Sequence, residues 1–318
     1  MSRHLQPTTA AAFAPATLSN LGMGFDNLGL AVDAGGDTVR VSLEPGAPGV
    51  RIDAIIGADL PTDATTNTAA IAAAATLRAA GVGDDVGAAI TLEKGLPIGS
   101  GLGSSAASSV AAAYATNLAL GVPLRKMALM DPVLEAEQAV AGRHLDNVAP
   151  ALLGGLILVR SVDPIDVVRL PVPGGLWAVI VSPAYPVLTR QARAALPDVV
   201  TLQDTVAHAG DLASFVAACF AGDLDLLSRC IRDRLAEPVR AAMVPGAEQA
   251  LEAARAAGAI GASISGSGPT QFAFCRTRRS GEAIARAMCE AFEAAGVAAT
   301  WTISPTDRPG VRTAPMPA

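Results

Sequence analysis

Residues 95–108 read GLPIGSGLGSSAAS, and no other stretch of the 318-residue chain limits its fold as tightly. Gly99, Gly101 and Gly103 alternate with other residues, Ser104 and Ser105 follow, and an alanine-rich run begins at once. A strand-like AAITLEK (88–94) precedes the loop. The pattern therefore predicts strand, glycine loop, then a helix from Ser104 to about Leu120 that stops at Gly121. A helix start leaves its first amide N–H groups unpaired and carries roughly half a positive charge. Glycines let an anion reach those amides, and serine hydroxyls add donors or a metal ligand. A purely structural turn would use the same residues, so other parts of the chain must decide.

Two familiar phosphate loops fit poorly. The pattern GxxxxGK[ST] fails, because no lysine directly precedes Ser104 or Ser105. GLGSSA (101–106) satisfies the loose dinucleotide form, but Pro97 interrupts the junction and VPLRKMALMD, some 20 residues on, reads as helix. Composition removes other classes. With 51% hydrophobic and 16% charged residues the chain is globular. A net charge of -6 without a basic run argues against nucleic acid as a partner. The alanine-rich runs are too short or too interrupted to span a membrane, and the first 20 residues make a poor export signal. Cys219, Cys230, Cys275 and Cys289 lack metal or redox spacing and read as buried free thiols in a cytoplasmic protein.

Along the chain, β-like runs at 38–43 and 50–56 precede a helix ending at Gly81. Asp131-Pro132 reads as the start of a helix running to about Ala141, with a strand returning in GLILVRSV. Strong punctuation in PVPGG (171–175) marks a domain boundary. Beyond it lie the strand WAVIVSP, helices near 189–195, 201–221, 223–236 and 246–258, a strand-loop-strand in GASISGSGPTQFAFC, a helix near 281–295 and a strand near 297–303. Without regular βαβ alternation the mixture predicts an α+β fold.

Other polar clusters are ambiguous as chemistry. Asn20 and Asp26 in NLGMGFD suit an Asx-rich turn as well as a site. Glu135 and Glu137 stand two apart on one helix and face different ways. His144, Asp146 and Asn147 form HLDN, a base pair or a capped turn. Arg193 and Arg240 are either helix-surface charges or a carboxylate grip, for which a guanidinium suits better than an ammonium.

PIGSGLGSSAA (97–107) resembles the phosphate loop of the GHMP kinases. APATLSNLGMGFDNLGLAVD (14–33), RHLDNVAPALLGG (143–155) and SISGSGPTQFAF (263–274) narrow the resemblance to the homoserine kinases, in that family's order. The resemblance implies a two-domain GHMP kinase fold. Residues 8–172 would form an ATP-binding domain like ribosomal protein S5 domain 2, and 173–305 a ferredoxin-like domain. The tail, 306–318, is expected to be disordered.

The implied reaction is ATP-dependent phosphorylation of L-homoserine on its side-chain hydroxyl, toward threonine, with Mg2+ as the metal. The resemblance puts ATP on Pro97, Ile98, Gly99, Ser100, Gly101, Leu102, Gly103, Ser104 and Ser105, and Mg2+ between Ser104 and Glu137. It makes Asn20 a catalytic group that orients the substrate's attacking hydroxyl and Asp26 the contact for its ammonium, with His144 beside them, and gives the substrate carboxylate to Arg193 and Arg240. Asp146 is a candidate base and Asn147 an orienting group, while Gly266, Ser267 and Gly268 support the phosphate loop. Asn67 and Thr68 are candidates for adenine. A homodimer stays open. A threonine or mevalonate-type kinase, or a non-catalytic nucleotide sensor, is the alternative.

Overall fold

An 18-residue strand organises the N-terminal half. The computed structural model describes residues 8–140, 142–187 and 189–316. The chain begins with β1 (Thr9–Ser19), β2 (Leu28–Pro45), β3 (Gly49–Ile56), α1 (Thr68–Ala79), β4 (Val86–Glu93) and α2 (Ser104–Ala119). There follow α3 (Met130–Val140), α4 (Val148–Leu153), β5 (Leu156–Val162) and β6 (Ile165–Leu170). β2 is long enough to serve three neighbours. It pairs with β1 along its length, with β4 through 38–45 and with β5 through 28–30. Among the described residues only β3 and β4 run parallel, with α1 between them in sequence.

α2 lies at the centre of this half. Twelve of its sixteen residues are buried, most of them alanine, so neighbouring elements approach closely on every side. Its buried hydroxyls stay satisfied by bonding one turn back, as Ser109 Oγ does to the Ser105 carbonyl and Thr116 Oγ1 to that of Ala112.

The second half adds β7 (Trp177–Pro183), α5 (Thr189–Ala194), α6 (Leu202–Ala221), α7 (Leu224–Cys230), α8 (Glu237–Ala241) and α9 (Ala247–Ala256). β8 (Gly261–Ile264), β9 (Gln271–Cys275), α10 (Arg278–Ala294), β10 (Ala299–Pro305) and β11 (Arg312–Thr313) complete the chain. The antiparallel order β10-β7-β9-β8 is the ferredoxin-like arrangement, with α9 and α10 packed on the sheet. Strand alternation gives its two faces different partners. Ala178, Ile180, Phe272 and Phe274 join the core that includes α2, whereas Val179, Val181, Ala273 and Cys275 join α9 and α10. All four cysteines are free and buried. Among the described residues no helix is long and apolar enough to cross a membrane.

Some local expectations are corrected. Residues 306–316 are ordered against the first sheet. β11 pairs with the outer edge of β1, Val311 N–H bonds the Ala151 carbonyl, and Gly155 N–H bonds that of Arg308. The Pro/Gly-rich composition suggested disorder, yet the free edge of β1 offers partners to the intervening amides. The helix expected to run to 236 stops at Cys230, and Asp233 Oδ1 then accepts the Leu235 and Ala236 N–H groups in a turn that leads into α8. α3 begins at Met130 after a short 3-10 turn over Lys126–Leu129, not at a cap on Asp131. Its expected end, Ala141, lies outside the described residues, as do 317 and 318.

Candidate active site

The loop 95–103 and the first turn of α2 open into a cleft of about 780 Å3 between the two halves. Gly103, at φ +68°, precedes the helix without any side-chain cap, so the first amides of α2 keep no intrahelical partner. Space as well as conformation demands glycine in this loop. A Cβ on Gly101 would lie 2.5 Å from the Ser265 carbonyl oxygen, and one on Gly103 would lie 2.2 Å from Thr17 Oγ1. The loop is thus pinned from both sides. Ser265 Oγ donates to the Gly101 carbonyl at 2.6 Å and Thr270 N–H to that of Ser100 at 3.1 Å. Thr17 N–H reaches the Leu102 carbonyl at 3.1 Å.

Most of the residues named from sequence line this cleft: Asn20, Asp26, His144, Asp146, Asn147, Arg193 and Arg240, with Glu137 and the loop residues 98–101 and 103–105. Gly266 and Ser267 line it too. Three do not. Leu102 is buried in the core, Pro97 stays outside, and Gly268 backs the loop with its carbonyl near Gly101. Asn67 and Thr68, the adenine candidates, also line the cleft, and the Asn67 amide caps α1 as well, accepting from Ala69 N–H and donating to the Pro61 carbonyl.

The serine that meets Glu137 is not the one expected to share the metal with it. Glu137 Oε1 accepts from Ser105 Oγ at 2.8 Å, not from Ser104. The Ser104 hydroxyl turns the other way, toward Lys94 Nζ and the Leu96 carbonyl. Adjacent helix positions differ by about 100° in direction, so only one of the two serines can face α3. Burial, and then the field of Asp146, push Glu137 up to about 7 despite the Ser105 bond. Its Oε2 is buried with no hydrogen-bond partner among the described residues, as are Ser100 Oγ and Arg240 Nε. An orphaned carboxylate oxygen beside a serine hydroxyl fits a divalent cation that takes few protein oxygens. Ser105→Ala should therefore lower kcat/KM for Mg-ATP about 10–100-fold, and Ser104→Ala less, in steady-state assays. Equal losses would return the metal role to either serine.

At the other end of the cleft, charges from both halves meet. Asn20 and Asp26 hold positive φ values of 68° and 57°, and the Asp26 N–H donates to Asn20 Oδ1 at 3.1 Å. Arg193, from α5, donates to both Asp26 oxygens at 3.3 and 2.9 Å. His144 Nε2 lies 2.7 Å from the same guanidinium. Burial chiefly lowers the His144 pKa, so the ring is neutral and can accept from Arg193. Arg240 donates to the Gly266 carbonyl at 2.7 Å, and both arginines lie over the Phe25 ring.

Asn147 holds the walls together. Its Oδ1 accepts from Thr17 Oγ1 at 2.8 Å and its Nδ2 donates to Ser19 Oγ at 3.1 Å. Asp146 is raised to about 7, first by burial and then by Asp26, while the Ser19 hydroxyl opposes the rise. Sequence reasoning missed Ser19, Lys94, Ser108 and the apolar wall of Leu60, Leu92 and Val140. A lysine closing a buried strand was a legible signal. The apolar wall was not, since nothing local distinguishes it from core.

Comparison with known proteins identifies the family. The GHMP kinases N terminal domain model matches residues 67–155, and the GHMP kinases C terminal model matches 215–294. The chain is 44% identical over 287 residues to a homoserine kinase of Arabidopsis thaliana, covering 88% of this chain and 77% of that one. It is 40% identical over 326 residues to a homoserine kinase of Xylella fastidiosa, covering 98% and 99%. A crystal structure of homoserine kinase from Cytophaga hutchinsonii superposes with a TM-score of 0.92 at 40% identity, covering 99% of each chain. More distant is an L. major mevalonate kinase, at 18% identity and a TM-score of 0.70 over 97% of this chain and 99% of that one, which shares the fold. With both halves matched and such relatives spanning most of its length, the chain belongs to the homoserine kinase family of the GHMP kinases.

Proposed function

We propose that the protein transfers the γ-phosphoryl group of ATP to the side-chain hydroxyl of L-homoserine, giving O-phospho-L-homoserine and ADP, a step toward threonine. One observation carries this reading. The open start of α2 and a paired acid and arginine, Asp26 and Arg193, face one cleft. The first suits a polyphosphate, the second the two ends of an amino acid.

The loop from Gly99 to Ser105 receives the phosphates. Glu137 and Ser105 would hold Mg2+, which when bound neutralises charge on the β- and γ-phosphates. Asp26 takes the substrate ammonium, Arg193 and Arg240 its carboxylate, and Asn20 and His144 complete the pocket. The hydroxyl oxygen forms its bond to the γ-phosphorus as the bond to the ADP oxygen breaks. Asp146, with a carboxyl near 7, accepts the released proton, and Asn147 keeps the adjacent wall in register. Phosphoryl transfer depends mostly on placement and charge neutralisation, which this arrangement supplies.

An ADP-release assay across homoserine, threonine and mevalonate tests the substrate. Homoserine should be preferred by at least about tenfold in kcat/KM. Preference for mevalonate would replace the reading with an alcohol kinase indifferent to the ammonium, and no turnover with any alcohol would favour the nucleotide sensor.

A further inference from the structure

Beneath the first turn of α2 lies an ion pair for which the reaction above has no use. Lys94, directly after β4, and Asp37, on β2, have side chains only 2% and 0% exposed. Lys94 Nζ bonds Asp37 Oδ2, Ser104 Oγ at 2.6 Å, the Ser104 carbonyl at 3.0 Å and Ser108 Oγ at 3.0 Å. Asp37 accepts in turn from Ser108 Oγ at 2.7 Å and from the N–H groups of Gly95 at 3.0 Å and Leu96 at 3.2 Å. The carboxylate therefore holds the backbone entering the phosphate loop, and the ammonium holds the residue leaving it. Both ends of the loop are tied to one pair.

Stability alone does not call for such a pair. Taking each ion out of water costs several kcal/mol, and an apolar pair of similar volume is often as stable. Burial does press on Lys94, lowering its pKa against the pull of Asp37. What the pair supplies that apolar side chains cannot is direction. It orients the Ser104 hydroxyl away from α3, which leaves Ser105 as the serine facing Glu137.

We propose that Lys94 and Asp37 are positioning residues that clamp the 95–104 loop in its nucleotide-receiving shape, so that Mg-nucleotide affinity depends on them and acceptor affinity does not. The proposal rests on the loop being the nucleotide site. Asp37→Asn combined with Lys94→Met removes both charges and keeps an oxygen for the Gly95 and Leu96 amides. Titration calorimetry with Mg2+ and a nonhydrolysable ATP analogue should show Kd raised about tenfold or more, as when a group that orients a ligand-bearing residue is removed. The homoserine KM at saturating ATP should stay within about twofold. A merely structural pair would shift the melting temperature without this split between the two ligands. Kd within about twofold of the parent in the folded double variant overturns the proposal. Should that variant fail to fold, Ser108→Ala removes one link of the same network, and an unchanged Kd there overturns it equally. A parent protein that binds no nucleotide overturns the functional reading and the clamp together, whereas a parent that binds beside an unaffected variant removes only the clamp.

Discussion

Glu137→Gln is expected to abolish most Mg-ATP turnover while making the ligand-free protein more stable at pH 8. The carboxyl is buried, faces Ser105 with one oxygen and leaves the other without a partner. Burial raises it to about 7 from an ordinary 4.5. A raised carboxyl favours the protonated native state, so its stabilising contribution is complete below about 4.5 and disappears as pH climbs through about 7. At pH 8 the ligand-free protein carries two buried carboxylates, Glu137 and Asp146, with Glu137 in the field of Asp146. Glutamine removes one of those charges and still offers Ser105 an acceptor. The gain should be on the order of 1–3 kcal/mol at pH 8, or several degrees in melting temperature, shrinking toward pH 5. Turnover should fall about 10²–10³-fold, because an amide is a poor ligand for the cation. Thermal melts at the two pH values, beside a steady-state assay, check both halves. A variant less stable than its parent at pH 8 would show that this carboxyl is not raised by burial, and one that turns over normally would show that it is not the cation's partner.

Asp26→Asn is expected to lower kcat/KM for homoserine by about 10²–10³-fold while leaving Mg-nucleotide binding nearly unchanged. In the ligand-free protein Asp26 and Arg193 neutralise one another across the two halves. An amino acid entering between them brings an ammonium for the first and a carboxylate for the second, so each charge exchanges one partner for another. With asparagine the ammonium loses its charge-assisted bond and Arg193 loses its resting partner. An acceptor alcohol without an ammonium gains nothing from Asp26, and its weak turnover should not drop. Kinetics with homoserine and such an alcohol, and calorimetry with the nucleotide analogue, separate these effects. Unchanged homoserine kinetics would mean that the ammonium sits elsewhere.

These two residues differ in how far sequence alone could place them. Glu137 was legible as a metal ligand only through the family resemblance, since Glu135 on the same helix offers the same chemistry; Glu135 pairs instead with Arg78 on the surface. Which serine stands opposite it was not legible, because two adjacent serines cannot be ranked without the direction from which the helix is approached. Asp26 and Arg193 lie 167 residues apart, and nothing in either local pattern says that they touch.

Local chemistry written in the chain was enough for several features. Alternating glycines before an alanine run specified a loop and helix, because no other residues tolerate both the positive φ and the close backbone approach found at Gly101 and Gly103. Apolar runs in WAVIVSP and QFAFC marked strands, and composition argued against a basic nucleic-acid surface. Only the tertiary structure decided which serine faces Glu137, that the last residues close the edge of β1, and that Lys94 and Asp37 meet under the loop. The physical reason is common to all three. Backbone propensity and periodicity act over a few residues, whereas the direction of a side chain, the filling of a sheet edge and the pairing of buried charges depend on elements brought together from far along the chain.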